Sequence, residues 1–319
     1  MSNKILVTDS LFIKAKHVKI LEDAGFEVER LDVPKATEDE LIASLKGKTG
    51  YIIGGVEKVT DKVFDSAEQL KAVAFTGTAA LDFIPGNKTA TKKGIAIANA
   101  PYFNAHSVAE FGITMSLAMT RNLIGLGRGS DKKFETNKTL SELKIGVLGL
   151  GHVGLEFIIM ARGLGAKNIS YFNRTKNTEI ENKHGIKYLS KERLFKDCDL
   201  IFISISSEAG NKFVNKGNID SMNKGSILVS IAHAGLIDTD ALFTRLKSGE
   251  IRAALDEPLS DMKLKKLPLD VLYTPNESTA YNTSQNIEET SNSAVNSMIN
   301  ILKNGDDKFI VNPDFRKNT

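Results

Sequence analysis

The chain has 319 residues, 41% of them hydrophobic, with 42 basic against 39 acidic side chains and a formal net charge of +3. At roughly 100–200 residues per domain this length suggests two domains, each able to bury its own core. Charges of both signs are spread along the chain, which argues against a nucleic-acid partner.

A single cysteine, Cys198, excludes an internal disulfide framework and fits a reducing compartment. It lies just before the apolar run 200–205, where a small buried thiol is expected rather than a nucleophile. The apolar piece near the N-terminus is too short for a signal-peptide core, and no stretch reaches the roughly 18 apolar residues needed to span a bilayer. The expectation is a cytoplasmic protein with no membrane partner and no metal.

Short apolar runs alternate with helical patterns from the start, the rhythm of parallel βαβ units in a doubly wound α/β sheet. In the first hundred residues the predicted strands are 4–7, 26–31, 51–53, 72–75 and 95–98, with helices around 14–24, 37–46 and 60–68. Gly25 and Gly47 fall where helix C-termini favour a left-handed residue. Residues 107–126 are apolar on nearly every face (Val108, Phe111, Ile113, Met115, Leu117, Met119) and read as one buried connecting helix. Ser107 and Glu110 have the spacing of a capping box at its start. A Gly- and Lys-rich loop or arm follows over 125–137, and its charged run Asp131-Lys132-Lys133 reads as a solvated segment.

A second series of βα units then brings strands at 145–148, 169–172, 200–205, 227–231, 252–255 and 271–274. A polar helix over 284–302, ending at Asn304-Gly305, comes after this series and is expected to cross back to the first domain.

The run KIGVLGLGHVG places Gly149, Gly151 and Gly154 directly after a strand and at the head of a helix with the apolar stripe Val153, Phe157, Ile158, Ala161 and Leu164. Each glycine has a physical reason: a tight turn, close approach of backbone to a pyrophosphate, and close helix-to-strand packing, with the helix N-terminus facing the anion. Alone the motif is weak; between a strand and a helix it points to a dinucleotide rather than to a merely tight turn. The next strand ends at Asn173-Arg174-Thr175, where such sites usually carry an acidic residue for the ribose 2′-OH. With no carboxylate to repel a 2′-phosphate and a guanidinium next door, the site should accept NADP at least as well as NAD. The alternative is an Arg174 that only faces water.

These pieces together resemble the D-isomer-specific 2-hydroxyacid dehydrogenases, which include glyoxylate, hydroxypyruvate and phosphoglycerate dehydrogenases. The likeness spans nearly the whole chain: KKGIAIANAPYFNAHSVAE (92–110), LKIGVLGLGHVG (143–154), DCDLIFISISS (197–207), MNKGSILVSIAHAGLIDTDAL (222–242), IRAALDEPL (251–259) and VLYTPNEST (271–279). The resemblance implies two doubly wound parallel-sheet domains, Rossmann-like and flavodoxin-like, with a cleft between them. A discontinuous substrate domain would comprise 1–100 plus 286–319, and a dinucleotide domain 101–285, through which the protein would form a homodimer. The arm here lacks the Trp usual in the family.

The family's catalytic Arg, Glu and His map onto His233 (in AHAGLID), Glu257 (in LDEPL) and Asn276 (in TPNEST). Asn276 cannot release a proton at neutral pH, and His233 cannot form the planar two-pronged clamp of an Arg, but it can be a cation and a proton donor. The expectation is that His233 combines electrophile and general acid, with Glu257 favouring its protonated form; the alternative is that His233 is simply a polar residue of the cleft. The same resemblance assigns cofactor contacts to Gly149, Gly151, His152, Val153, Gly154, Asn173, Arg174, Thr175, Ser206, Asn211, Ile231, Ala232 and Asp256. It assigns substrate contacts to Gly55, Val56, Gly77, Thr78 and His106. His152 is expected to lend only its backbone, His106 to be either a capping or a substrate-contacting residue, and His17 and His184 to be surface residues. The leading function is hydride transfer between a nicotinamide cofactor and a small 2-hydroxy or 2-oxo acid. Alternatives are a dinucleotide-binding sensor or interaction protein without that activity, and an enzyme of this fold acting on another substrate.

Overall fold

The computed structural model describes residues 3–9, 11–33, 35–129, 136–257, 271–274 and 278–318. The chain divides into two compact units, residues 1–104 with 283–319 and residues 105–282. Both boundaries fall at helix starts, Ala105 and the N-cap Thr283. They lie within a few residues of the expected divisions after 100 and 285.

In the first unit, β1 (Lys4–Thr8), α1 (Ala15–Asp23), β2 (Glu27–Leu31), α2 (Glu38–Ser44), β3 (Gly50–Ile53), α3 (Asp61–Ser66), β4 (Ala72–Phe75), α4 (Ala80–Phe83), α5 (Asn87–Lys92) and β5 (Ala96–Ala98) follow in order. The strands form a parallel sheet in the order β2-β1-β3-β4-β5, the flavodoxin-like doubly wound arrangement. Its central strands are buried on both faces, which is why they read as continuous apolar runs. Leu41 of α2 and Val63 and Phe64 of α3 pack in the core of one face. Leu21 of α1 packs on the other with Ala294, Val295 and Met298 of the helix Ser284–Asn304.

That late helix is less polar in effect than its sequence suggests. Thr290, Ser291 and Ser297 are buried with their hydroxyls satisfied by the carbonyls of Asn286 and Phe12 and by the Asp307 carboxylate, at 2.7, 2.7 and 3.0 Å. Small hydroxyls can enter a core once they are bonded. The helix stops at Gly305, in the left-handed region at φ +74°. His17 is also not a surface residue: it is fully buried, its Nδ1 accepts the Lys14 N–H at 3.0 Å, and its Nε2 lies 3.4 Å from Glu288. Burial lowers its pKa, with Glu288 opposing.

The second unit contains α6 (Ala105–Thr120), α7 (Leu123–Gly127), β6 (Lys144–Leu148), α8 (His152–Gly163), β7 (Asn168–Phe172), α9 (Thr178–His184), β8 (Lys187–Tyr188), α10 (Lys191–Asp197), β9 (Leu200–Ile203), α11 (Lys216–Asp220), β10 (Ile227–Ser230), α12 (Thr239–Lys247), β11 (Arg252–Leu255) and β12 (Leu272–Tyr273). The parallel sheet runs β12-β11-β10-β9-β6-β7-β8, the Rossmann order with one further strand, and its order reverses between β6 and β9. The long helix expected over 107–126 is two helices, broken at Asn122 in the left-handed region (φ +52°). Because α6 begins at Ala105, Ser107 lies inside it and makes no capping box. Asp131, Lys132 and Lys133 lie outside the described residues.

α6 runs close over the sheet at Gly112, where a Cβ would stand 2.5 Å from the Phe202 ring. Phe202 in turn stacks on Phe157 of α8 with centroids 3.9 Å apart, locking strand to helix. Cys198 is buried, and burial, with Asp197 and Asp199 nearby, pushes its thiol up to about 12. Among the described residues no helix is long and apolar enough to cross a membrane.

Candidate functional site

β6 delivers the chain to Gly149, which turns it at φ +104°. A side chain there would be strained, and its Cβ would stand 2.9 Å from the Ser204 carbonyl oxygen. The turn is tied on both sides: the Gly149 N–H donates to the Phe172 carbonyl at 2.9 Å, and the Ser204 hydroxyl donates to the Gly149 carbonyl at 3.1 Å. A Cβ on Gly154 would collide with that same carbonyl, so only glycine lets α8 seat directly on the end of β6. Around Gly151 the space is open, with no atom within 4 Å of where its Cβ would be.

Gly151 is the N-cap of α8 and offers no side chain to accept the first-turn N–H groups. The positive end of the helix therefore faces the open space at Gly151, which fits a dinucleotide pyrophosphate. His152 is exposed and Val153 half-buried on this first turn.

At the end of β7, Asn173 donates from Nδ2 to the Thr175 carbonyl at 3.4 Å, while Arg174 and Thr175 are exposed. The turn 173–177 contains no carboxylate. Tyr171 positions it from below, its hydroxyl accepting the Asn177 N–H at 2.9 Å and bonding Glu181 at 3.1 Å.

Past β9 and β10 two short 3₁₀ turns lie against each other, Ser207–Ala209 with Ser206 as N-cap, and Ala234–Leu236 with His233 as N-cap. Ser206 and Asn211 are exposed, Ile231 half-buried and Ala232 buried. The exposed His233 ring accepts the Gly235 N–H at its Nδ1, 3.1 Å away. With Nδ1 used as acceptor, a neutral His233 carries its proton on Nε2.

Glu257 is half-buried beside this imidazole. Burial raises its pKa, His233 opposes that, the Asp256 charge adds to it, and the Ala234 backbone N–H holds it down. Asp256 is only 2% exposed, and both its oxygens hold the 279–280 turn: Thr279 N–H at 2.8 Å on one, Ala280 N–H at 3.0 Å on the other. A contact to a cofactor would have to use its remaining lone pairs. Asn276 lies outside the described residues.

In the first unit, a Cβ on Gly54 would run into the Thr8 carbonyl, and the following Gly55 and Val56 are half-buried and exposed. A Cβ on Gly77 would stand 2.8 Å from the Phe75 ring, and Thr78 is exposed with its carbonyl held by the Asn99 amide at 2.8 Å. His106 is inside α6 with Nδ1 3.3 Å from Glu156 of α8, so it has an anionic partner and does not cap the helix.

The sequence reading passed over Ser204, although it is the first polar residue at the end of the run 200–203, the kind of position that faces a loop. Tyr171 was hidden by being aromatic within a strand.

Residues 113–276 match the family described as "D-isomer specific 2-hydroxyacid dehydrogenase, NAD binding domain". The chain is 33% identical over 294 residues to D-3-phosphoglycerate dehydrogenase of Methanocaldococcus jannaschii, covering 88% of this chain and 54% of that protein. It is 30% identical over 251 residues to hydroxypyruvate reductase of Thermotoga maritima, covering 75% and 80%. The chain thus spans about half the length of the phosphoglycerate dehydrogenases it matches. In fold it is similar to a 3-phosphoglycerate dehydrogenase of Entamoeba histolytica solved with NAD+ bound, with a TM-score of 0.80 at 22% identity over 98% of this chain and 99% of the other. The chain belongs to the D-isomer specific 2-hydroxyacid dehydrogenase family and carries its NAD-binding domain.

Proposed function

We propose that this protein interconverts a small 2-oxo acid and its 2-hydroxy acid, using NADP(H) at least as well as NAD(H). The observation that carries the reading is the glycine turn: Gly154 packed on the Gly149 carbonyl, open space at Gly151, and an uncapped helix end, in a chain of this family. The pyrophosphate is held by the backbone of 149–154 and the adenosine end by Asn173, Arg174 and Thr175. Ser206, Asn211, Ile231, Ala232 and Asp256 line the nicotinamide half. A bound nicotinamide supplies the hydride to the carbonyl carbon, or accepts it in reverse.

The backbone N–H groups of Gly55, Val56, Gly77 and Thr78 bind the acid's carboxylate, with His106 as a further polar contact. In its neutral form His233 polarises the substrate carbonyl through Nε2–H. Delivering a proton takes the doubly protonated ring, whose Nδ1–H can no longer accept from Gly235. Glu257 is the neighbouring carboxyl group, and the two roles of His233 are divided between two protonation states. Asn276 completes the set as a hydrogen-bond donor to the substrate oxygen. The protein acts as a cytoplasmic homodimer.

The test is to titrate NADPH and NADH by their own fluorescence, the chain having no Trp to interfere. Glyoxylate, pyruvate and hydroxypyruvate are then screened for oxidation of the bound cofactor. Turnover of one of them supports the assignment. Tight cofactor binding without turnover of any 2-oxo acid would reject it.

A further inference from the structure

Beneath the loop 54–56 lies a closed polar cluster that the reading above does not use. Thr8 at the end of β1, Tyr51 on β3, and Glu57 are each fully buried. The Tyr51 hydroxyl donates to Glu57 Oε1 at 2.7 Å, and the Thr8 hydroxyl donates to the same oxygen. Thr8 Oγ1 in turn accepts the Gly54 N–H at 3.2 Å. A continuous chain of hydrogen bonds therefore runs from the loop backbone, through a threonine, to a buried carboxyl.

The second carboxyl oxygen, Oε2, is buried with no partner among the described residues. The neighbouring cations are turned elsewhere. Lys58 bonds the Asp82 carbonyl at 2.8 Å and sits over the Phe83 ring, and Arg30 bonds Asp32 and the carbonyls of Ile13 and Asp9. A carboxyl taken out of water without a cation is a standing cost to the fold, and a costly group persists where the surrounding structure needs what it positions.

What it positions is the loop directly above. Gly54 is pinned to β1 by the absence of a Cβ and by its bond to Thr8, and Glu57 pins the other end of the same loop. Between these two anchors, the backbone N–H groups of Gly55 and Val56 make no hydrogen bond among the described residues. Two successive N–H groups left open in a loop form a small concave anion site, whose aim depends on how rigidly both ends are held.

We propose that Glu57 is a positioning residue for substrate: braced by Tyr51 and Thr8, it holds the Gly55 and Val56 N–H groups at the angle that receives the acid's carboxylate. The inference rests on the oxidoreductase reading above and adds to it the device that aims the loop. Misaiming the loop weakens ground-state and transition-state binding alike, so it raises KM and spares kcat.

The experiment measures KM and kcat for the best 2-oxo acid, with NADH affinity as an internal control, in Glu57→Ala, Glu57→Gln, Tyr51→Phe and Lys58→Ala. Glu57→Ala should raise KM about tenfold and Tyr51→Phe about threefold, with kcat and NADH affinity within about twofold of wild type. Glu57→Gln, which keeps an oxygen to accept from both hydroxyls, should recover part of the loss, and Lys58→Ala should behave as wild type. If Glu57→Ala does not fold, Tyr51→Phe decides alone. An unchanged KM in the folded variants overturns the proposal, as does a joint fall of kcat and NADH affinity, which would mean general loosening. A wild type that reduces no 2-oxo acid fails the functional reading itself, whereas an active wild type with unmoved KM values fails only the role of Glu57.

Discussion

The first strand of each sheet hands over to a helix, and the two junctions differ in length and in what stands at the helix end. In the first unit the chain passes from β1 to α1 across residues 9–14, Asp9 caps the Leu11 N–H at 3.0 Å, and the His17 ring accepts the Lys14 N–H at the helix start. In the second unit the chain passes from β6 to α8 across 149–151, and Gly151 leaves the helix end uncapped beside open space. Both are βα units of parallel sheets. Neither helix has a side-chain cap on its first turn; the difference is that the first junction folds Asp9 and His17 back onto its own backbone, whereas the second leaves open space in front of the helix end, where an anion can approach. Function is thus decided in three residues of the junction and not by the fold around it.

Closing the open end is the strongest way to break this contrast. Gly151→Asp puts a capping carboxylate where the pyrophosphate is proposed to lie. Affinity for both NADH and NADPH, followed by their fluorescence, should fall by about 100-fold or more through charge repulsion and lost space. The melting temperature should hold or rise slightly, since Asp caps better than Gly by a few tenths of a kcal/mol. Unchanged cofactor affinity would show that the open helix end is not the binding feature.

The next largest effect is expected at the far end of the same site. His233→Ala should lower kcat by ~10²–10³ while leaving cofactor affinity within about twofold, because the imidazole acts on the substrate oxygen. Steady-state kinetics with the best 2-oxo acid would show this, and full activity in the alanine variant would reduce His233 to the cap of a 3₁₀ turn. A smaller change is expected of Arg174→Ala, about tenfold weaker NADPH binding with NADH unaffected, as for the loss of one charge-assisted contact. Equal losses for both cofactors would remove the proposed 2′-phosphate contact.

The smallest effect concerns the closed junction. His17 is buried, which lowers its folded-state pKa below the ordinary 6.5. The neutral ring is therefore the stabilising form: its contribution is present above about pH 6.5 and is lost as pH falls through the lowered folded value. His17→Gln should flatten the decline of the first unit's stability as pH falls below about 6.5, seen as a smaller shift in thermal midpoint. An equally steep decline in the variant would place the acid-sensitive group elsewhere.

Much of the architecture was legible because fully buried parallel strands are short apolar runs, and those at 51–53 and 72–75 lie within the observed strands. β8 was not, since Lys187–Tyr188 is a two-residue edge strand with no apolar period to read. The break at Asn122 was hidden because the short polar step Thr120-Arg121-Asn122 fits one exposed face of a continuing helix and carries no signal for a backbone turning left-handed. His17 could have been recognised: with Ile13 and Leu21 it falls at a spacing of four, on the stripe of α1 that faces the core.

In the site, Gly149 and Gly154 were readable because each answers a separate steric demand that the structure displays, while Gly151 stands beside open space. The tautomer of His233 was not, because it depends on the Gly235 N–H two residues on, a bond that needs the 3₁₀ turn to exist. The support of the 54–56 loop was invisible for a similar reason. Thr8 and Glu57 are 49 positions apart in the chain and meet only because β1 and β3 are neighbours in the sheet.

Cys198 gives the molecule an unplanned instrument. It is the chain's one thiol, sealed in the core of the second unit with its ionisation pushed to about 12. A thiol in that state does not react with alkylating reagents while it stays enclosed, because the thiolate is the nucleophile. Each modified molecule therefore records one opening of the nucleotide-binding half, and how far a bound coenzyme slows that labelling measures how firmly it clamps the domain shut.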